Sequence, residues 1–181
     1  MIGTAGYVAE NLLRIVENDT DVDKLTIHPT LPVAYLTQTT LSLDEASKII
    51  EKLKSRFPHI MEPAKSDICY ATQNRQNAVK ELATMCDIII ICGSPNSSNS
   101  NRLRETGARC GVPSHIIDSV ADLDFSLLSP GKRVGISSGA SVPRWIVDDL
   151  IKAITTKFPE TQIHLFEDPE KNIIFPIPVM T

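Results

Sequence analysis

Ile88-Ile-Ile-Ile-Cys-Gly-Ser-Pro-Asn-Ser-Ser-Asn-Ser-Asn101 joins two unlike patterns without a break. Residues 88–92 are apolar with no polar face, as a strand buried on both sides of a parallel sheet requires. The next nine residues are almost all small and polar. A helix follows through Leu103 to about Arg109, and Gly111 is its natural stop. A buried strand, a hydroxyl- and amide-rich loop and then a helix make up the repeating element of parallel α/β folds.

The same unit recurs on both sides. Residues 33–37 lead through Gln38-Thr-Thr-Leu-Ser42 into a helix to about Phe57, with Ala46, Ile49, Ile50 and Leu53 at helical spacing. Ser42 and Glu45 form a capping-box pair, and Pro58 ends the segment. Residues 67–72 lead into a helix with Ala78, Val79, Leu82 and Ala83 on one face. Residues 114–117 read as a short strand. Residues 133–137 lead through Ser138-Gly-Ala-Ser-Val-Pro143 into a helix to about Phe158, lined by Trp145, Ile146, Val147, Leu150, Ile151 and Ile154. Tail strands are expected near 163–165 and 173–175, and residues 12–16 fit a strand or a helix. The fold class is α/β, with repeated strand-loop-helix units building two parallel-sheet lobes. The best boundary is Met61-Glu-Pro-Ala-Lys-Ser66. It gives one lobe over residues 1–65, a second over 66–160 and a tail over 161–181.

The composition narrows the function. The 181 residues are 42% hydrophobic and 22% charged, a balance that supports a packed core. The net charge of −4 leaves no basic field to hold nucleic acid or an anionic membrane. The apolar run 88–92 is far too short to span a bilayer. The start, Met1-Ile-Gly-Thr-Ala-Gly6, carries no basic-then-apolar leader, so a cytoplasmic chain with reduced cysteines is expected.

In open parallel sheets, ligands bind beyond the carboxyl ends of strands, where helices begin. The loops there read TQTTLS, CYATQN, GSPNSSNSN and SSGAS, rich in hydroxyls and carboxamides and poor in charge. Beside unpaired helix N–H groups they form a neutral anion-binding surface, suited to a phosphate or diphosphate. Helix capping alone accounts for TQTTLS more readily than binding does. The Ser94–Asn101 stretch has more polar groups than one cap needs, and there capping and binding stand evenly. Cys69 lies in a loop before a helix, where a thiolate is favoured, yet position alone favours a structural role. Cys86 and Cys92 read as core residues, and Cys110 as a helix-end residue. The four histidines are scattered, and none is assigned to a metal. No GxGxxG, Walker or GxSxG motif occurs.

Taken together, TQTTLS at 37–42, ICYATQNRQ at 68–76, GSPNSSNSNRL at 93–103 and GASVP at 139–143 resemble one family, 4-hydroxy-3-methylbut-2-enyl diphosphate reductase. The resemblance runs through essentially the whole chain, in order and spacing. It implies a three-lobed α/β enzyme with a [4Fe–4S] cluster on three cysteines, one per lobe. Cys69 matches the last of those cysteines and Thr39 a substrate-contacting threonine. Ser97, Ser98 and Asn99 match residues that hold the substrate's diphosphate, Ser141 matches another diphosphate ligand, and Thr72 a threonine near the cluster. The implied reaction is reductive dehydration of an allylic diphosphate to isopentenyl and dimethylallyl diphosphates, the closing step of the methylerythritol phosphate route. The implied partner is a reduced ferredoxin- or flavodoxin-like electron-transfer protein.

The family's His-Pro-Glu stretch, with its proton-delivering glutamate, and its first two cluster cysteines have no match here. The expectation is therefore the carboxyl-terminal part of the reductase, lacking the first lobe and the catalytic acid and inactive alone. The alternative is a non-enzymatic anion-binding α/β module that uses the same loops.

Overall fold

The computed structural model describes residues 6–28, 30–38, 40–41, 43–63 and 70–166, excepting the side chains of 43–45. The chain divides into two compact units, Met1–Gln73 and Asn74–Thr181, taken here in turn.

In the first unit, a short helix α1 (Asp19–Lys24) packs against α2 (Leu43–Arg56). The Asn18 side chain caps α1 by accepting from the Asp21 N–H at 3.0 Å. Its carboxyl end is closed by Arg56, whose guanidinium donates to the carbonyls of Val22, Asp23 and Leu25 at 2.5–2.8 Å. Those are carbonyls that a helix end leaves unpaired. Val22, Ala46 and Leu53 are buried between the two helices. Residues 33–37, expected as a strand, form a single parallel bridge, Ala34 with Met61. Residues 10–12 form one 3-10 turn and 13–17 are irregular, which resolves the ambiguous segment as neither strand nor α-helix. The Ser42–Glu45 capping pair lies outside the described residues.

Helix α3 (Tyr70–Met85) begins earlier than its apolar face suggests. Tyr70, Ala71 and Thr72, expected in a strand and loop, are already helical. No Gly or Pro interrupts 70–85, and Ala and Gln favour continuing the helix.

The second unit is built on β1 (Ile88–Cys92), which leads through α4 (Ser98–Arg109) to β2 (Ser114–Ile117) and then to β3 (Val134–Ser138) and α5 (Arg144–Lys157). The sheet order is β2-β1-β3, all parallel, with Ile90 opposite His115 on one edge and Ile136 on the other. Alternate side chains of β1 point to opposite faces. Ile89 and Ile91 pack with Val79 and Leu82 of α3 and Leu103 of α4. Ile88, Ile90 and Cys92 pack with Leu150 and Ile154 of α5. Each fully buried isoleucine contributes about 1.5–3 kcal/mol. The α/β class and the parallel pairing thus follow from a strand apolar on both faces.

Two details depart from the sequence pattern. Trp145, expected to line α5 with its apolar neighbours, is 63% exposed in the first turn, while Leu150 and Ile154 occupy the core. Residues 163–165 form no strand; Ile163 and Leu165 are exposed. The expected strand 173–175 lies outside the described residues. Gly111 does end its helix, in the left-handed conformation (φ 84°). Among the described residues no helix is long and apolar enough to cross a membrane.

Candidate anion-binding site

β1 sends its chain to α4 on one face of the sheet, and β3 sends its chain to α5 on the other. Their carboxyl ends are adjacent, so the crevice between them is a topological switch point, where open α/β sheets take ligands.

A glycine follows each strand at once, and both are needed for close approach. A Cβ on Gly93 would overlap Ser100 Oγ and lie 3.5 Å from Val142 Cγ2. A Cβ on Gly139 would lie 2.8 Å from Ser100 Oγ and 3.6 Å from Asn99 Nδ2. The ladder continues into both loops: Gly93 N–H donates to Ile117 O (2.8 Å) and Gly139 N–H to Cys92 O (2.9 Å). Ser100 is buried between the two loops, a position that the count of polar residues could not single out. The signal for it was the pair of glycines, each placed immediately after an apolar strand.

The polar residues of the first loop divide by their partners. Ser94 O accepts from Ser97 N–H (2.9 Å), and its Oγ accepts from Asn96 N–H (3.2 Å). Asn101 Nδ2 donates to Pro95 O (2.5 Å) and Ser97 O (3.0 Å), fastening the loop to the helix. Ser97 is the N-cap of α4, accepting from Ser100 N–H at 3.3 Å, and its hydroxyl proton is left to donate. The N–H groups of Ser98 and Asn99 make no hydrogen bond among the described residues. They stand at the positive end of the α4 dipole.

Asn99 is the unusual member. Its Nδ2 and Oδ1 are both buried, and among the described residues neither has a partner. A buried polar group without a hydrogen bond costs about 1–3 kcal/mol, and here two are left so. Capping does not explain that, because Ser97 already serves as the cap. Ser141 is exposed in the turn after β3, which is closed by Val142 N–H donating to Gly139 O at 3.1 Å. Ser97, Ser98, Asn99 and Ser141 therefore lie at the start of α4 and in the turn after β3, at one end of the sheet. Thr72 is buried in the first turn of α3 and belongs to the first compact unit. Thr39 and Cys69 lie outside the described residues.

The three described cysteines sit in different surroundings. Cys92 is wholly buried, and desolvation pushes its thiol up to about 11. Cys86 is half-buried beside Gly135, and burial raises its thiol, partly offset by Arg133. Cys110 is exposed at the end of α4. A thiolate is the ligating form, and burial disfavours it at Cys86 and Cys92. Among the described residues no three His, Cys, Asp or Glu side chains gather as metal ligands. These residues do not fit a [4Fe–4S] cluster.

Fold and crevice together define a parallel α/β protein with neutral hydrogen-bonding groups gathered at its switch point. The LytB protein family model matches residues 1–155. The chain belongs to that family. It is 46% identical over 164 residues to a 4-hydroxy-3-methylbut-2-enyl diphosphate reductase of Saccharophagus degradans, covering 91% of this chain and 52% of the relative. With the reductase of that name from Pseudomonas aeruginosa it shares 45% over 179 residues, covering 97% and 57%. The solved E-1-hydroxy-2-methyl-but-2-enyl-4-diphosphate reductase from Plasmodium falciparum superimposes with a TM-score of 0.79 at 39% identity, over 85% of this chain and 48% of that one. The chain spans about half the length of these relatives.

Proposed function

We propose that this chain forms the diphosphate-binding portion of a 4-hydroxy-3-methylbut-2-enyl diphosphate reductase. The substrate's diphosphate sits over the carboxyl ends of β1 and β3. The Ser98 and Asn99 N–H groups, the Asn99 carboxamide and the Ser97 and Ser141 hydroxyls donate to its oxygens. All the donors are neutral, so the helix dipole and hydrogen bonds hold the anion without a salt bridge. The supporting observation is the buried Asn99 Nδ2 at the free end of α4, a donor without a partner among the described residues.

In the reductive dehydration that the family resemblance implies, this chain's share is to fix the diphosphate and so orient the allylic end. Thr39 and Thr72 are assigned to the substrate as well. Cys69 is assigned as one ligand of a [4Fe–4S] cluster whose other ligands this chain does not supply. Electrons come from a reduced ferredoxin- or flavodoxin-like protein, in the cytoplasm. The 181-residue chain by itself binds diphosphate and does not turn substrate over.

Calorimetric titration of the chain with inorganic diphosphate tests the binding. Hydrogen bonds to a charged group are worth about 1.5–3 kcal/mol, so Asn99→Ala should weaken binding roughly 10- to 150-fold. Unchanged affinity in that variant, or no binding by the parent chain, would overturn the reading. Among the described residues no metal-ligand set gathers, so the same loops would also suit a non-enzymatic anion-binding module. Turnover by the chain joined to the remaining length of a relative decides between the two.

A further inference from the structure

Asn99 has two unsatisfied ends, and a fully ionised diphosphate answers only one of them. Its Nδ2 and its Oδ1 are buried, each without a partner among the described residues. A carboxamide donates at nitrogen and accepts at oxygen, and turning it over exchanges the ends without changing that balance. The nitrogen lies beside Gly139, 3.6 Å from the point where a Cβ would stand. Phosphate oxygens without a proton can only accept. They suit Nδ2 and the Ser98 and Asn99 N–H groups, and they leave the buried Oδ1 unanswered.

Charge points the same way. Every donor assigned to the diphosphate is neutral, and taking an ion out of water favours its less charged form. The charged side chains on the surrounding elements are engaged elsewhere. On α4, Arg102 donates to Glu105 (2.9 Å), and Arg104 lies 3.9 Å from the same carboxylate. On α5, Arg144 pairs with Asp148 (3.8 Å). Arg75 and Lys80 of α3 have partners of their own, and Asp118 after β2 is exposed. Burial pushes the Cys92 thiol at the end of β1 up to about 11, so it stays neutral at pH 8. His115 of β2 stands, by strand alternation, on the α5 side with Ile117, while Ile116 packs on the α4 side.

We propose that the site takes a diphosphate ester in its singly protonated form, the terminal P–OH donating to Asn99 Oδ1 while Nδ2 donates to an unprotonated oxygen. The proton comes from the buffer as the ligand binds, and no bond of the diphosphate breaks. This inference rests on the diphosphate reading above and adds the protonation state that the site selects.

The probe is n-butyl diphosphate, whose terminal phosphate loses its last proton at about pH 6, as phosphate monoesters do. It is titrated calorimetrically into the 181-residue chain at pH 8 in HEPES and in Tris, buffers of different ionisation enthalpy. At least about half a proton should leave the buffer for each molecule bound, and affinity should fall roughly tenfold from pH 7 to pH 8. An analogue with terminal P–F in place of P–OH keeps the charge of the protonated ester but has no proton to give. At pH 6 it should bind at least about tenfold more weakly than the butyl ester. Asn99→Ala should abolish the uptake, and His115→Gln should leave it unchanged. No binding of the butyl ester would overturn the diphosphate reading and this inference with it. Binding without that uptake, equal affinity for the P–F analogue, or uptake that survives Asn99→Ala would overturn the inference alone. So would uptake lost with His115→Gln, which would put the proton on the histidine.

Discussion

β1 has a strand on each edge and helices on each face, whereas residues 33–35 form, among the described residues, a single rung with Met61. Both segments are apolar, both precede a hydroxyl-rich loop and both lead toward a helix. Every side chain from Ile88 to Cys92 is buried, while Leu36 is mostly in water. A parallel strand is thus a property of its neighbours as much as of its residues. Its hydrogen bonds and its burial arrive together when adjacent strands are in place.

That contrast can be broken by substitution. Ile90→Ala removes a fully buried side chain from between β1 and α5 and should cost about 2–5 kcal/mol in urea unfolding. Leu36→Ala should stay within about 0.5 kcal/mol, since little is lost from an exposed site. Equal costs at the two sites would refute the contrast. A smaller effect sharpens the view of the crevice. Gly139→Ala places a methyl 2.8 Å from Ser100 Oγ and 3.3 Å from Val142 Cγ2. It should cost about 1–3 kcal/mol and weaken diphosphate binding in the same preparation. Full stability with full binding would mean that the two loops are not packed as described.

The smallest effect lies at the opposite end of the sheet. Asp87, just before β1, accepts from the Arg133 guanidinium (2.8 and 3.3 Å) and from its N–H (2.8 Å) just before β3. The guanidinium bonds and then the backbone bond lower its carboxyl from 3.8 to about 2. A depressed acid stabilises the fold above its unfolded value and loses that contribution as pH falls toward its folded one. The contribution is therefore present above pH 4 and lost between about 4 and 2. The pair is exposed and screened, so the change is small. Asp87→Asn should flatten the acid limb of a stability–pH curve, and an unaltered limb would show that the pair does not tie β1 to β3.

Where the sequence was legible, one element carried its own instruction. Residues 88–92 allow no polar face, so a doubly covered parallel strand was readable from them alone. Gly111 announced its helix end for an equally local reason. Residues 33–37 misled because an apolar run does not by itself supply a neighbouring strand, and among the described residues they form only the Ala34–Met61 rung. Tyr70–Thr72 misled because helix propensity carries α3 past a segment that also suits a strand. Helix α1 was missed: six residues are too short for periodicity, and only Asn18 and the acidic first turn marked it. At the crevice, the excess of serine and asparagine pointed to an anion. It did not distinguish Asn101, which ties the loop, from Asn99, whose carboxamide has no partner among the described residues. That difference is a matter of which side chains meet a carbonyl, and spacing does not contain it.

The last rungs of the sheet, Gly93 to Ile117 and Gly139 to Cys92, lie beyond the strands and inside the loops. The floor of the crevice is therefore not a flap resting on the sheet but its final row of bonds. Opening it means unzipping β1 from both neighbours, so the cradle shares the cooperative unit of the core. On the proposed function, an anion arriving there would meet a surface already ordered, with little conformational entropy left to lose on binding. The same linkage runs backward: a bound diphosphate would tighten the whole β2-β1-β3 sheet, and a defect far down β1 would be felt as weaker binding.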